Sequence, residues 1–372
     1  MIYLDNCATT KTDKKIADIL YNYNTENFFN PSALYNASEK VKIDISNARK
    51  NVAKAINAAP DEIIFTSCGT ESNNSILNGV LKPNDTLIIS AGEHASIYNT
   101  AQELIKKNIN VKICPLNQDG SVNLEKLLEL TDSTTILISI LHVSNEFGTI
   151  NDIKYITGRI KSEYPQTLIH SDGVQALGKI NIDIKDLGVD FYSASSHKLY
   201  APKGCGIIYK KKGVKLNPFI FGGGQENNMR SGTENTGAII AFSEALKIAV
   251  SDFKTDHFHN LRTAFIDSLN LQNFKINGGN VLNNILSISI PGIKSEVIVH
   301  ILENKNIFIG TGSACSANKK SFRISDAIGL TRKEAEGTLR ISFSKYNTIE
   351  EVKFAAQELS NAVNKFINRE TI

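Results

Sequence analysis

Between residues 60 and 210, short runs rich in β-branched and apolar residues return at a steady spacing, and that alternation leaves the chain few folds to choose from. The runs are Glu62 to Thr66, Thr86 to Ser90, Val111 to Cys114, Thr135 to Ile140, Thr167 to Ser171, Phe191 to Ser195 and Gly206 to Tyr209. Between them lie segments such as Ser72 to Leu81, Ile97 to Lys107 and Leu124 to Leu130, whose apolar residues fall three or four apart as on one face of a helix. Strand and helix alternating in this way predict an α/β fold with a mainly parallel sheet wrapped by helices. Such sheets bind ligands at the carboxyl ends of their strands, so those ends are where chemistry is sought.

At 372 residues the chain exceeds what one hydrophobic core usually serves. After the apolar helix Gly237 to Val250 the texture changes at Asp252 to Asn260, and a second unit follows that ends in the amphipathic stretch Glu350 to Phe366. A large domain over residues 13–255 and a smaller α/β domain from residues 1–12 and 256–372 are expected. A net charge of +3, with no run of five like charges, speaks against direct nucleic-acid binding. The longest apolar run, Thr135 to Val143, is too short for a membrane span, and no secretory leader pattern opens the chain, so a cytoplasmic location is expected. Five cysteines are scattered without a Cys-x-x-Cys pair, and His257 and His259 are two apart, so neither a disulfide framework nor a metal site is expected.

Four segments can carry chemistry. Ser193-Ala-Ser-Ser-His-Lys198 closes a strand and runs into the turn-rich Ala201-Pro-Lys-Gly-Cys-Gly206. A lysine at that strand end can form a Schiff base with pyridoxal phosphate, and Ser195 and His197 can bind its phosphate, although a lone lysine is ordinarily a solvated loop residue. Thr167 to Asp172 is an apolar strand ending in a carboxylate, with Gln175 three residues on. Asp172 fits either the anion that a protonated pyridine nitrogen requires, with Gln175 donating to the ring oxygen, or a helix cap. Phe65-Thr-Ser-Cys-Gly69-Thr70 is a small-residue turn ahead of an amphipathic helix, where amides, Gly69 and the Thr70 hydroxyl suit a phosphate. Finally, Gly310-Thr-Gly-Ser-Ala-Cys315-Ser-Ala surrounds a cysteine with residues too small to bury it, whereas Cys114 and Cys205 read as core.

Together these segments resemble the NifS/IscS cysteine desulfurases, class-V aminotransferase relatives with the aspartate-aminotransferase-like PLP fold type I. The resemblance also takes in Tyr3-Leu-Asp-Asn-Cys-Ala-Thr-Thr10, Asn30-Pro-Ser-Ala33, Glu93-His94, Ser144-Asn145-Glu146, Gly222-Gly-Gly224, Met229-Arg-Ser-Gly-Thr233 and Leu339-Arg340-Ile-Ser. It implies that Lys198 carries the cofactor, His94 stacks on its ring and shuttles protons, and Asp172 and Gln175 serve ring nitrogen and oxygen. It further implies phosphate binding by Gly69, Thr70, Ser195 and His197, and by Thr233 across a homodimer interface. Asn145 and Arg340 would hold the carboxylate of L-cysteine; taken alone, Arg340 reads as a surface ion pair. Cys315 would take the substrate sulfur as a persulfide, leave L-alanine, and pass the sulfur to an acceptor protein such as an iron-sulfur scaffold.

The chain departs from the family pattern at Gln225-Glu226, where many members carry His-Glu, and at Cys7, where many carry Ala. The segment after Cys315, with Lys319 and Lys320, and the C-terminal tail are both short, which leaves the acceptor open among an iron-sulfur scaffold, a tRNA-thiolation protein and a cofactor pathway. A selenocysteine lyase of the same fold would not need the Gly-Ser-Ala-Cys segment, and a non-catalytic paralogue would not need Lys198, Cys315 and Arg340 together. No Gly-x-Gly-x-x-Gly follows the first strand, against a Rossmann enzyme.

Overall fold

The structure is a computed structural model that describes residues 1–252, 255–312 and 322–370. After β1 (Ile2–Leu4) come the seven strands anticipated from the sequence: β2 (Ile63–Thr66), β3 (Thr86–Ser90), β4 (Asn110–Cys114), β5 (Thr135–Leu141), β6 (Leu168–Asp172), β7 (Phe191–Ser195) and β8 (Gly206–Lys210). They form one sheet in the order β2-β8-β7-β6-β5-β3-β4. From β7 to β4 every pairing is parallel, while β8 runs antiparallel to both of its neighbours. The reversal follows from the short link between β7 and β8, which holds Pro202 and a Gly204 at φ +91° and has no room for a crossover helix. β3 and β7 are buried at every position, which is why their sequences are continuous apolar or small runs rather than alternating ones.

The helices that wrap this sheet are α1 (Lys14–Thr25), α2 (Asn36–Ala55), α3 (Gly69–Val80), α4 (Ala95–Ile105), α5 (Leu124–Leu130), α6 (Ile153–Glu163), α7 (Ile184–Leu187) and α8 (Thr236–Ser251). Helix α8 is the central one, with Ala238, Ala241, Phe242, Ala245 and Leu246 all buried.

A second sheet is built from β9 (Lys275–Asn277), β10 (Ile285–Ser289), β11 (Ile307–Thr311) and β12 (Thr338–Ser342), in the order β1-β11-β12-β10-β9. Ile2 of β1 pairs in parallel with Ile307 of β11, so the opening strand completes this distant sheet. Around it lie α9 (Thr255–Asp267), α10 (Ser295–Glu303), α11 (Arg323–Ala327), α12 (Arg332–Glu336) and α13 (Ile349–Glu370). α13 turns Val352, Ala355, Ala356, Leu359, Ala362 and Val363 onto a core with Leu4, Leu286 and Ile341. Phe322, Ile324 and Ile328 pack instead with Phe147 and Val122 in the core of the first sheet.

Between β1 and α1 the chain is laced onto the turn after β7. Thr10 N donates to His197 O at 3.0 Å, Tyr200 N donates to Thr10 Oγ1 at 2.7 Å, and Asp13 N donates to Tyr200 O at 3.0 Å. Among the described residues no helix is long and apolar enough to cross a membrane, and no group of His, Cys, Asp and Glu could hold a metal.

Candidate active site

The carboxyl ends of β5, β6 and β7 open on a cleft of about 360 Å³, lined among others by Cys7, Cys68, Gly69, Thr70, His94, Asn145, Asp172, Gln175, Ser195, His197, Lys198 and Arg340. Ten of the expected site residues thus converge here: Gly69, Thr70, His94, Asn145, Asp172, Gln175, Ser195, His197, Lys198 and Arg340. Thr233 does not line the cleft and is exposed. Cys315 lies outside the described residues.

Lys198 stands in the short 3-10 turn, Ser196–Lys198, that follows β7. Its Nζ donates to the carbonyls of Cys7 and Ala8, the latter at 2.8 Å. Burial pushes its amine down to about 8; Arg340 acts in the same sense, while Cys7, Asp5 and Asp172 oppose it. An amine so depressed is neutral in a useful fraction near neutral pH, which a nucleophile or base requires.

Asp172 is the last residue of β6 and is 6% exposed. Its Oδ1 accepts from Val174 N at 2.9 Å, a local cap, while its Oδ2 accepts from Asn73 Nδ2 at 2.8 Å. Asn73, on α3, also donates to Ser96 Oγ at 2.8 Å and accepts from the Ser193 hydroxyl, which in turn meets His170 Nε2 at 2.7 Å. Burial brings the His170 imidazole down to about 3, so this buried chain is neutral beside the carboxylate. The two readings of Asp172 are therefore not exclusive: one oxygen caps and the other is held by Asn73 at the edge of the cleft.

His94 caps α4, and its Nδ1 accepts from Ser96 N at 3.2 Å. A neutral ring with an accepting Nδ1 carries its proton on Nε2. The ring is exposed to the cleft, yet the surrounding walls withhold water from the imidazolium. That desolvation, ahead of Lys198 and Arg323, holds its pKa below the ordinary value, with Asp172 pulling the other way. Arg323 fixes the segment from behind, donating to Ala91 O and, at 2.6 Å, to Glu93 O.

The phosphate end is assembled at the N-terminus of α3. Gly69 opens that helix, where a Cβ would lie 2.6 Å from Val174 Cγ2, so the close approach of this turn to the segment just after β6 favours glycine. Ser195 Oγ is buried without a hydrogen-bond partner among the described residues. His197, brought down to about 4 by burial and by the charges of Lys198, Lys203 and Lys179, meets Thr9 Oγ1 at 3.2 Å. A helix N-terminus, a glycine cradle and an unpartnered hydroxyl fit a phosphate, and a lysine, a carboxylate and a carboxamide on neighbouring strand ends fit the rest of pyridoxal phosphate.

On the opposite wall Arg340 of β12 enters the cleft. Its Nη2 donates to Asp5 Oδ1 at 2.9 Å and its Nη1 to Asn145 O at 3.0 Å, while its buried Nε has no partner among the described residues. The ion pair anticipated for a surface arginine exists, but inside the site, where a guanidinium suits a carboxylate. An adjoining cleft of about 480 Å³ is bordered by His94, Asn145, Arg340, Thr311, Gly312, Arg323 and Ile324. Gly312 and Arg323 are thus cleft-wall residues on the two sides of the segment that contains Cys315.

Sequence reasoning missed Cys7 and Cys68 as cleft residues, and with them the holders Asp5, Asn73, Ser96, Lys179 and Arg323. Cys68 is the helix cap of α3, its Sγ accepting from Glu71 N at 3.5 Å. A thiol at a capping position usually held by Ser, Thr, Asp or Asn was the one available signal.

Residues 2–354 match the class-V aminotransferase family. A Clostridium botulinum protein named cysteine desulfurase IscS is 36% identical over 98% of this chain and 94% of its own length. A solved NifS-like protein superposes with a TM-score of 0.92 at 35% identity, covering 98% of this chain and 99% of the other. A NifS-like protein from Rickettsia africae gives a TM-score of 0.87 at 31% identity, over 98% and 99%.

Proposed function

Since the chain belongs to the class-V aminotransferases and, within them, to the NifS/IscS cysteine desulfurases, we propose that it takes sulfur from L-cysteine with pyridoxal phosphate as cofactor, and that the cleft below β5, β6 and β7 is where it does so. The observation that carries this reading is the convergence, in one cleft, of a lysine whose amine is pushed down to about 8, a buried carboxylate on an adjacent strand end, and an arginine on the facing wall.

In this reading Lys198 would hold the cofactor, Asp172 would serve its ring nitrogen, Gln175 its ring oxygen and His94 its ring face. Gly69, Thr70, Ser195 and His197 would hold its phosphate, with Thr233 supplied by the other subunit of a homodimer. Bound there, pyridoxal phosphate supplies an electron sink for charge at the substrate Cα. Arg340 and Asn145 take the substrate carboxylate and so orient the Cα–H toward the amine. Lys198, once free, removes that proton. His94, with its proton on Nε2, exchanges protons with the substrate and enzyme thiols. The Cys315 thiolate attacks the substrate sulfur: an S–S bond forms, the Cβ–S bond breaks, and its electron pair remains with carbon, which collects a proton and leaves as L-alanine. The persulfide then passes to an acceptor protein.

The test uses the cofactor-loaded protein and L-cysteine. Wild type should release alanine and carry a protein-bound persulfide, whereas Cys315→Ala should keep its visible cofactor band and lose both products. Alanine and sulfide formed by Cys315→Ala at the wild-type rate would remove the thiol from its role and leave direct elimination of sulfur as the better account.

A further inference from the structure

Gln175 ends in a group with two chemically opposite halves, and only one half can donate to an anionic ring oxygen. Its Nε2 donates to the Cys7 carbonyl at 3.0 Å, and its Oε1 accepts from Lys179 Nζ at 2.8 Å. A carbonyl can only accept and an ammonium can only donate, so both partners dictate the same orientation of the amide. The residues between them form a single tight turn that reverses at Gly178 (φ +70°), which brings Lys179 round beneath Gln175.

Lys179 does not line the main cleft. Gln175 is 4% exposed and lines that cleft, whereas Lys179 borders a cavity behind it, which Lys198 also lines together with Asp13, Asp252, Tyr200 and Lys345. Its bond to Gln175 is the one hydrogen bond its side chain makes among the described residues. Of the two acids that border that cavity, Asp13 and Asp252, Asp13 is engaged by the Tyr346 hydroxyl at 2.6 Å and by Lys345 at 3.4 Å. Burial lowers the Lys179 ammonium to about 8, Lys198 adding to the effect and Cys7 opposing it, so the charge sits at a cost that a surface lysine would not bear.

Resting on the function proposed above, we propose that Lys179 is a positioning residue: it holds the Gln175 carboxamide with its N–H toward the cleft and, as a cation behind the amide, strengthens that N–H as a donor to the cofactor's ring oxygen. Hydrogen bonds in a chain polarise one another, so a charged donor on Oε1 makes Nε2–H the better donor.

The experiment is a pH titration of the visible band of the cofactor-loaded protein without substrate, which follows the proton on the Lys198–cofactor linkage. Donors and cations near the ring oxygen favour the unprotonated linkage, so removing them must move the midpoint upward. Lys179→Met should raise it by about one pH unit, the size of one lost charge-assisted hydrogen bond. Lys179→Arg should stay near wild type, and Lys179→Gln, which keeps a donor without the charge, should fall between; it also serves if the Met variant does not fold. The other groups that face Lys198, namely Cys7, Asp5, Asp172, His94, His197 and Arg340, are unchanged throughout. In a Gln175→Ala background the Lys179→Met shift should shrink by half or more. An unmoved midpoint in Lys179→Met and Lys179→Gln, or a shift of full size in the Gln175→Ala background, would overturn the assignment. A wild-type protein that gains no visible band with pyridoxal phosphate would instead overturn the function on which it rests.

Discussion

Asp172→Asn separates the two jobs that the carboxylate performs. The substitution keeps shape and volume and removes one negative charge. Val174 N and Asn73 Nδ2 both donate to Asp172, at 2.9 and 2.8 Å, so in either orientation an asparagine there presents its own Nδ2 to a donor. One buried hydrogen bond is lost and a donor is left unsatisfied, which should cost about 1–3 kcal/mol of stability. The catalytic loss should be larger. Without an anion at that position the pyridine nitrogen is not kept protonated, and removal of a preorganised electrostatic partner costs a factor of about 10² to 10³ in turnover, or ~3–4 kcal/mol. The charge also supports protonation of His94 and Lys198, so its removal should lower both pKa values further, in the direction burial already drives them. Cofactor binding by absorbance, alanine release from L-cysteine and thermal unfolding, measured on one preparation, distinguish these effects. The expected pattern is a retained band, a modest loss of stability and a collapse in alanine formation. Wild-type turnover together with the stability loss would mean that Asp172 is only a cap, and the assignment to the ring nitrogen would fall.

Uptake of pyridoxal phosphate by the cofactor-free protein should quicken with rising pH through about 8, because the depressed Lys198 amine is the reactive form above that value; a stopped-flow profile with its midpoint at the ordinary lysine value of about 10.4 would contradict the depressed pKa. Lys198→Ala should abolish both the visible band and turnover, and normal activity in that variant would exclude the lysine. Mixing Lys198→Ala chains with Thr233→Ala chains should restore part of the activity, because one of the two hybrid sites would carry both residues; verified heterodimers without recovery would count against a shared site.

The parts of the fold visible in the sequence are those set by burial over short distances. Most of β2 to β8 were readable because strands covered on both faces are continuous apolar runs, the edge strand β4 being the exception, and Asp172 and Lys198 stood out because each closes or follows such a run. β6 ends at Asp172 itself, as the sequence suggested, which makes the carboxylate part of the strand. The polar β9, with only Asn277 buried, left no such trace. Contacts between residues far apart in the chain were also invisible: Asp5 with Arg340, Asn73 with Asp172, and the Cys7 carbonyl beneath Lys198 and Gln175. Arg340 shows the limit most plainly, since an ion pair was legible as a possibility but its position in the cleft depends on β12 lying beside β11.

The place of β1 sets an order of events during synthesis. Ile2, Tyr3 and Leu4 leave the ribosome before the seven-stranded sheet, but their partners Ile307, Phe308 and Ile309 are made only after it. Until then the segment that caps Lys198 has no anchor on one side, and the Asp5 that pairs with Arg340 waits longer still. Closing a contact of such sequence separation is slow compared with forming neighbouring strands and helices. The nascent large sheet therefore passes through a stage in which its lysine is made but not yet roofed.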